Sequence, residues 1–240
     1  MDISQLTNTA RKVMKVPYCG AVIVAAGTAS RMEGIDKVMA LLQGQELIKH
    51  TVSAFQECSV ISEIVVVTRE DLISKVMSLC APFDKVMIVV AGGKDRTESV
   101  KNGLNALSKK VKLAAIHDGA RPLVTPQLID RVVRAAKAYG AAAPAISVKD
   151  TVKVVRGGVV DHTPDRSTLQ AVQTPQVFDF DLLRGALKKA ENEKLQMTDD
   201  CSAVEAMGFS VKIVQGDERN MKVTTPMDLK IAQMLLEETK

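Results

Sequence analysis

The sequence predicts an α/β fold of three layers, with a mostly parallel twisted sheet between two sets of helices. Three observations carry this. Strand-like apolar runs alternate four times with helix-like amphipathic runs between residues 21 and 139. The strand runs are apolar throughout, as strands covered on both faces must be. Loops of small residues with charge follow three of the strands, at 27–37, 91–99 and 118–122. Helical crossovers return the chain for another parallel strand and are right-handed. In such sheets ligands sit beyond the carboxyl ends of the strands, so those three loops are where function is sought.

Residues 21–26 (AVIVAA) form the first strand. It breaks at Gly27 into a loop of small residues with Arg31 and, six residues on, Lys37. Backbone N–H groups and two cations delivered to one spot suit a phosphate. A plain turn with two solvated cations fits the same residues. The loop has neither the Gly-x-Gly-x-x-Gly spacing of a dinucleotide fold nor the Gly-Lys-Ser/Thr ending of a P-loop.

Leu47, Ile48, Thr51, Val52 and Phe55 have helical spacing. The β-branched run at 63–68 (EIVVVT) is the second strand. Residues 71–79 are helical. The run at 85–90 (KVMIVV) is the third strand and leads into Gly92 and Gly93. A helix at 96–107 places Val100, Leu104 and Leu107 on one face. Residues 113–117 form the fourth strand, which runs into Asp118, Gly119, Ala120, Arg121 and Pro122. Thr125 and Pro126 mark the cap and first turn of a helix that reaches Tyr139.

After a strand at 141–148 the rhythm changes. Residues 150–160 (DTVKVVRGGVV) read as a hairpin turning at Gly157 and Gly158. We read 149–172 as a β-arm protruding from the main sheet. A two-stranded arm is marginal alone in water, and a second copy of the chain is the simplest partner for it. The chain then runs through a helix at 181–190, a short helix at 199–207 capped by Thr198, and a strand at 210–214. An extended piece at 220–223 precedes a closing helix at 226–236, with Thr225 as cap and Asp228 in its first turn. Residues 1–17 are expected to be a leader extension and 18–240 a single domain.

The chain of 240 residues is 46% hydrophobic and 25% charged, enough to bury a core. Its net charge of +4 suits anionic small-molecule substrates and, equally, a near-neutral surface. Aromatics at 3%, no Trp and dispersed basic residues argue against nucleic acid. No apolar run approaches the roughly 18 residues of a membrane span, so no membrane partner is expected. Cys19, Cys58, Cys80 and Cys201 form no C-x-x-C pair and no zinc template. Free thiols in a reducing compartment follow. The amino terminus has no apolar signal core. The cytoplasm is the expected location, with a plastid as the alternative.

Several stretches, in order and spacing, carry a resemblance. They are Ala25, Ala26 and Gly27 with Arg31, Met32 and Lys37; Gly92 and Gly93 with Arg96, Ser99 and Val100; and His117 through Pro122. Asp150 with Thr151, Asp165 with Arg166, the run Gln173, Thr174, Pro175, Gln176, and Asn220 through Thr224 complete the set. Over about residues 19–237 the chain resembles the 2-C-methyl-D-erythritol 4-phosphate cytidylyltransferases. The resemblance implies a Rossmann-like nucleotidyltransferase fold, Mg²⁺, and a homodimer that exchanges the arm. It implies attack of the 4-phosphate of methylerythritol on the α-phosphorus of CTP, with release of pyrophosphate.

That nucleophile is already ionised, so no strong general base is required. The difficulty is charge between two polyanions, and positioning with cationic stabilisation should carry the rate. The resemblance assigns Arg31, Lys37 and Lys222 as the catalytic cations, the first two on the triphosphate. It assigns Ala25, Ala26, Gly27, Gly92, Gly93, Ser99, Asp118 and Ala120 to the nucleotide, with Asp118 also at the metal. Thr151, Arg166 and Thr174 match contacts to the sugar phosphate. The first two would act on the neighbouring subunit's site if the arm is exchanged. His117 is expected to be a packed strand residue.

Four positions depart from the family pattern: Ala29, Asp36, Val38 and Gly119. The sister ribitol-5-phosphate cytidylyltransferases share most motifs but tend to have Gly-Gly in place of Ala26 and Gly27, which favours the methylerythritol substrate. A non-catalytic nucleotide-binding protein on the same fold is a further alternative. The presence of all three cations argues against it.

Overall fold

A computed structural model describes residues 16–27 and 38–238; the leader through residue 15 and the loop carrying Ala29, Arg31, Asp36 and Lys37 lie outside the described residues. Along the chain run β1 (Cys19–Ala25), a small hairpin of β2 (Leu41–Leu42) and β3 (Gln45–Glu46), α1 (Leu47–Glu57), β4 (Ile61–Thr68), α2 (Ile73–Cys80), β5 (Val86–Ala91), α3 (Arg96–Ala106), β6 (Leu113–Asp118), α4 (Pro126–Tyr139) and β7 (Ala141–Ser147). There follow β8 (Val154–Arg156), β9 (Val159–His162), β10 (Gln170–Val172), β11 (Gln176–Asp179), α5 (Phe180–Asn192), α6 (Asp200–Glu205), β12 (Lys212–Gln215) and α7 (Pro226–Glu237).

β5, β4, β1 and β6 lie side by side and parallel. Their carboxyl ends therefore open on one edge. β11 enters antiparallel between β6 and β7. β10 also runs antiparallel along β7, and β12 pairs with β7 in parallel. The result is a mostly parallel sheet with helices on both faces. Successive residues of a strand enter different cores, as the pleat requires. Ile23, Ile64 and Val66 pack with Phe55, Leu128 and Val132 under α1 and α4. Val22, Val65 and Val67 pack with Leu104, Phe178 and Leu187 under α3 and α5. This double coverage is why β1, β4 and β6 carry no polar alternation; β5, at the sheet edge, leaves Met87 and Ile88 exposed.

The expected caps of α4 and α7 form. Thr125 accepts the Leu128 N–H, and Gly140 closes α4 at φ 82°. Thr225 and Asp228 make a reciprocal capping box on α7. The cap of α6 is Asp199, one residue after the expected Thr198. Asp199 accepts the Ser202 N–H while the Ser202 hydroxyl faces the Asp199 N–H, a two-way arrangement.

β8 and β9 pair only with each other, joined by Gly157 and Gly158 at φ +56° and +81°. Those angles match the positive-φ turn that suits strand twist. The excursion from the sheet is shorter than 149–172, because Gln170–Val172 pairs back onto β7 at Ser147–Ala145. Val155, Val159 and Val160 are exposed on the hairpin.

Gly103 brings α3 close to the sheet. A Cβ there would meet Val22 Cγ1 at 2.3 Å and Val67 Cγ2 at 2.8 Å. Gly185, inside α5, would meet only Met207 Cε at 3.9 Å. The two should respond oppositely to alanine. Gly185→Ala should raise stability by about 0.5–1 kcal/mol through helix propensity. Gly103→Ala should lower it by about 1–3 kcal/mol through overpacking. Urea midpoints at unchanged slope check both, and a stabilised Gly103→Ala would contradict the packing described.

Candidate active site

The carboxyl ends of β1, β5 and β6 face a cleft of about 360 Å³. Ala25, Ala26 and Gly27 line one wall, Gly93, Arg96 and Ser99 another, and Asp118, Ala120 and Lys222 the floor and rim. The loop after β5 is held tightly. The Gly92 N–H donates to the Thr68 carbonyl at 2.7 Å. A Cβ on Gly92 would lie 2.3 Å from the Ala26 Cβ, so glycine is required for the two loops to touch. The Ser99 hydroxyl donates to the Asp95 carbonyl at 2.8 Å and accepts the Gly93 N–H at 3.0 Å. Its role here is to fix the glycine loop at the start of α3, whose cap is Asp95.

Asp118 ends β6 and is 8% exposed. Its Oδ2 pairs with Lys222 Nζ at 2.8 Å and lies 3.6 Å from Arg121 Nε. Its Oδ1 lies 3.5 Å from Arg96 Nε. Burial alone would raise this carboxyl's pKa, but Lys222, Arg96 and Arg121 outweigh it and hold the group well below the usual range. Asp118 is therefore an ionised carboxylate at working pH. Arg96 reaches past it to Asp200, where its NH2 lies 2.8 Å from Oδ2.

Each member of this cluster is braced from behind. The Asp118 N–H donates to the Thr174 hydroxyl at 3.1 Å. That hydroxyl donates in turn to His117 Nδ1 at 2.9 Å. The Arg121 carbonyl, 3.4 Å from Nε2, can only accept, so the ring is the neutral form protonated at Nε2. Asn220, fully buried, donates through Nδ2 to the Thr174 carbonyl at 2.8 Å, and its own backbone carbonyl accepts from Arg121 at 2.7 Å. The Val223 N–H donates to the Ala120 carbonyl at 2.8 Å. Lys222 thus sits between two anchored neighbours, which aims its ammonium at Asp118.

Among the residues expected at the site, Ala25, Ala26, Gly27, Gly93, Ser99, Asp118, Ala120 and Lys222 come together in the cleft. Gly92 supports it from behind. Thr174 stands behind Asp118, 4% exposed, with its hydroxyl used inside the protein. Thr151 and Arg166 belong to the excursion and do not line this cleft; Arg166 donates to the Lys149 carbonyl at 2.9 Å. Arg31 and Lys37 lie outside the described residues. His117 is fully buried against Phe55, as expected of a packed strand residue.

Sequence reasoning did not assign roles to Arg96, Arg121, Asp200 or Asn220. Arg96 and Arg121 stand in the loop motifs after β5 and β6, but nothing local says that both lean on one carboxylate. Asp200 reads as an ordinary first-turn acid of α6. A larger cavity, about 450 Å³, lies between α3 and α5 beside Leu104 and Arg184. It lacks a buried charge cluster, so volume does not identify the site.

No group of three or more potential metal-ligating side chains occurs among the described residues. A resident metal centre does not fit this cleft. One ionised carboxylate with an oxygen whose closest ion-pair contact among the described residues is at 3.5 Å does fit a Mg²⁺ ion that would bring phosphate oxygens and water as its other ligands.

Comparison with known proteins agrees with this geometry. The profile of the 2-C-methyl-D-erythritol 4-phosphate cytidylyltransferase family matches residues 19–238. The protein of that name from Caldanaerobacter subterraneus subsp. tengcongensis is 42% identical over 226 residues, 90% of this chain and 97% of the relative. That from Desulforamulus reducens is 44% identical over 221 residues, 90% and 94% of the two chains. The 4-diphosphocytidyl-2C-methyl-D-erythritol synthase structure from Anaerococcus prevotii superposes with a TM-score of 0.84 at 29% identity, covering 92% of this chain and 96% of that one. The Thermus thermophilus structure, titled as 2-C-methyl-D-erythritol 4-phosphate cytidylyltransferase, gives 0.75 at 31% identity, covering 90% and 98%.

Fold and site define the class as an α/β nucleotidyltransferase, an enzyme. The chain belongs to the 2-C-methyl-D-erythritol 4-phosphate cytidylyltransferase family.

Burial pushes the His117 imidazole down to about 3, against about 6.5 in an unfolded chain. Between those values the unfolded state binds a proton that the folded state refuses, so stability falls as pH drops through that window. The urea midpoint should fall between about pH 7 and pH 5, and fall less in His117→Gln. Equal falls would mean that His117 is charged in the fold.

Proposed function

We propose that this chain transfers CMP from CTP to 2-C-methyl-D-erythritol 4-phosphate, as the names of its relatives describe for them. The observation that carries the reading is the Asp118–Lys222 pair, 2.8 Å apart, at the strand-end cleft of a chain in this family. The alternatives, ribitol 5-phosphate as acceptor or a protein without catalysis, find no comparable support among relatives named for the methylerythritol reaction.

In the reaction, a phosphate oxygen of the acceptor forms a bond to the α-phosphorus of CTP. The bond from that phosphorus to the α–β bridging oxygen breaks, and pyrophosphate leaves with the electron pair. No proton transfer is needed at the nucleophile. Lys222, aimed by Asn220 and Val223 and neutralised at rest by Asp118, supplies positive charge where it gathers at the α-phosphate. Arg31 and Lys37 hold the triphosphate. The backbone at Gly92 and Gly93, kept narrow by the contact with Ala26, takes the cytosine. Asp118 would hold Mg²⁺, whose chemistry when bound is to neutralise the triphosphate and polarise its oxygens.

The exposed valines of the β8–β9 hairpin support a homodimer through that arm, with Thr151 and Arg166 reaching the partner's site. Sedimentation equilibrium should give a dimer; a fully active monomer would remove this part of the reading. The cytoplasm is the proposed location, which suits four free cysteines. No helix among the described residues is long and apolar enough to cross a membrane.

Side-by-side turnover of methylerythritol phosphate and ribitol 5-phosphate with CTP and Mg²⁺ tests the reaction. A clear preference for ribitol 5-phosphate, or no pyrophosphate release with either, would overturn it. Lys222→Ala should lower kcat by about 10²–10³, the range for losing one oriented transition-state donor. A folded variant with near-normal kcat would remove the role.

A further inference from the structure

Asp200 is a fully enclosed carboxylate, 2% exposed, that the transfer reaction does not use. It stands at the start of α6, and its place is fixed from β11. The Gln176 side-chain carbonyl accepts the N–H groups of Asp200 and Cys201, at 3.0 and 3.2 Å. The Gln176 amide donates to Asp199 Oδ2 at 2.7 Å. Both ends of a buried glutamine are thus used to hold this helix start in register with β11.

What Asp200 faces is Arg96. The guanidinium has two carboxylates within reach. It takes Asp200 at 2.8 Å through NH2 and leaves Asp118 Oδ1 at 3.5 Å from Nε. The first is a close ion pair in which Asp200 Oδ2 takes no well-aligned hydrogen bond; the second is too long for a charge-assisted hydrogen bond. A shift well under 1 Å would bring Nε onto Oδ1 and cap it. The other oxygen, Oδ2, is already occupied by Lys222. With Arg96 on Oδ1 as well, a guanidinium would stand against each approach to that oxygen, and its like charge would oppose a divalent cation there.

We propose that Asp200 is a positioning residue that retains Arg96 and so keeps Oδ1 of Asp118 open for the divalent cation that arrives with the nucleotide. This rests on the cytidylyl-transfer reading for the identity of the nucleotide. It assigns Asp200 an effect on metal use without contact to substrate, metal or reacting atoms. It also gives a reason for the second acid of the Asp199–Asp200 pair, since Asp199 alone caps the helix.

The test is CTP binding without turnover, by calorimetry on the purified full chain, across a series of Mg²⁺ concentrations and with no sugar phosphate present. Asp200→Asn keeps the shape and removes the charge. Its half-saturating Mg²⁺ concentration should rise roughly 10-fold, the scale of losing an outer-shell partner at a metal site. The double variant Arg96→Leu with Asp200→Asn should return toward the wild-type Mg²⁺ requirement, because position 96 no longer carries a guanidinium that could move onto Oδ1. A merely structural Asp200 would leave the double variant at least as impaired as the single one. An unmoved requirement in folded Asp200→Asn, a double variant without recovery, or wild-type CTP binding indifferent to Mg²⁺ would each overturn the proposal. Failure of the transfer reading would appear separately, as absent turnover in the two-acceptor assay.

Discussion

A carboxylate that is nine-tenths buried must be paid for, and Asp118 is compensated by Lys222, Arg96 and Arg121. Three cations on one buried anion leave the cluster positive, with Asp200 drawing off part of Arg96. Such a group suits a polyanionic ligand. It is also fragile, because removing either sign leaves an uncompensated buried charge. Much of the surrounding structure keeps these five side chains in register.

The run Gln173, Thr174, Pro175, Gln176 does this from a single stretch. Gln173 donates to the Asp217 carbonyl at 2.8 Å and its oxygen faces Asn220, which steadies the loop that carries Lys222. Thr174 takes the Asp118 N–H. Gln176 takes the start of α6 and with it Asp200. This stretch leads into β11, which enters antiparallel between β6 and β7, and so ties the sheet to the segments that carry Asp118, Lys222 and Asp200. The long apolar parallel strands supply a rigid frame, and this polar stretch ties the frame to the chemistry.

The fold was largely legible in the sequence because its signals are local. Runs such as EIVVVT could only be strands covered on both faces, and Thr125, Pro126, Thr225 and Asp228 announced their helices. The insertion of β11 between β6 and β7 was not legible, since strand pairing across sixty residues leaves no local trace. The same holds at the site. Small residues after strands pointed to the loops that line the cleft. The sharing of Arg96 between Asp118 and Asp200 joins three elements and is visible only in three dimensions. Thr174 illustrates the limit from the other side: the motif flagged the residue, and the fold turned its hydroxyl inward to hold Asp118.

The chemistry of the cleft depends on whether Oδ1 of Asp118 serves the nucleotide's cation while Arg96 stays on Asp200. A crystal structure with CTP and Mn²⁺, located by anomalous scattering, answers this most directly. The expected result is manganese bonded to Asp118 Oδ1 and to triphosphate oxygens, with Arg96 paired to Asp200. Manganese bound away from Asp118, or Arg96 moved onto its carboxylate, would contradict it.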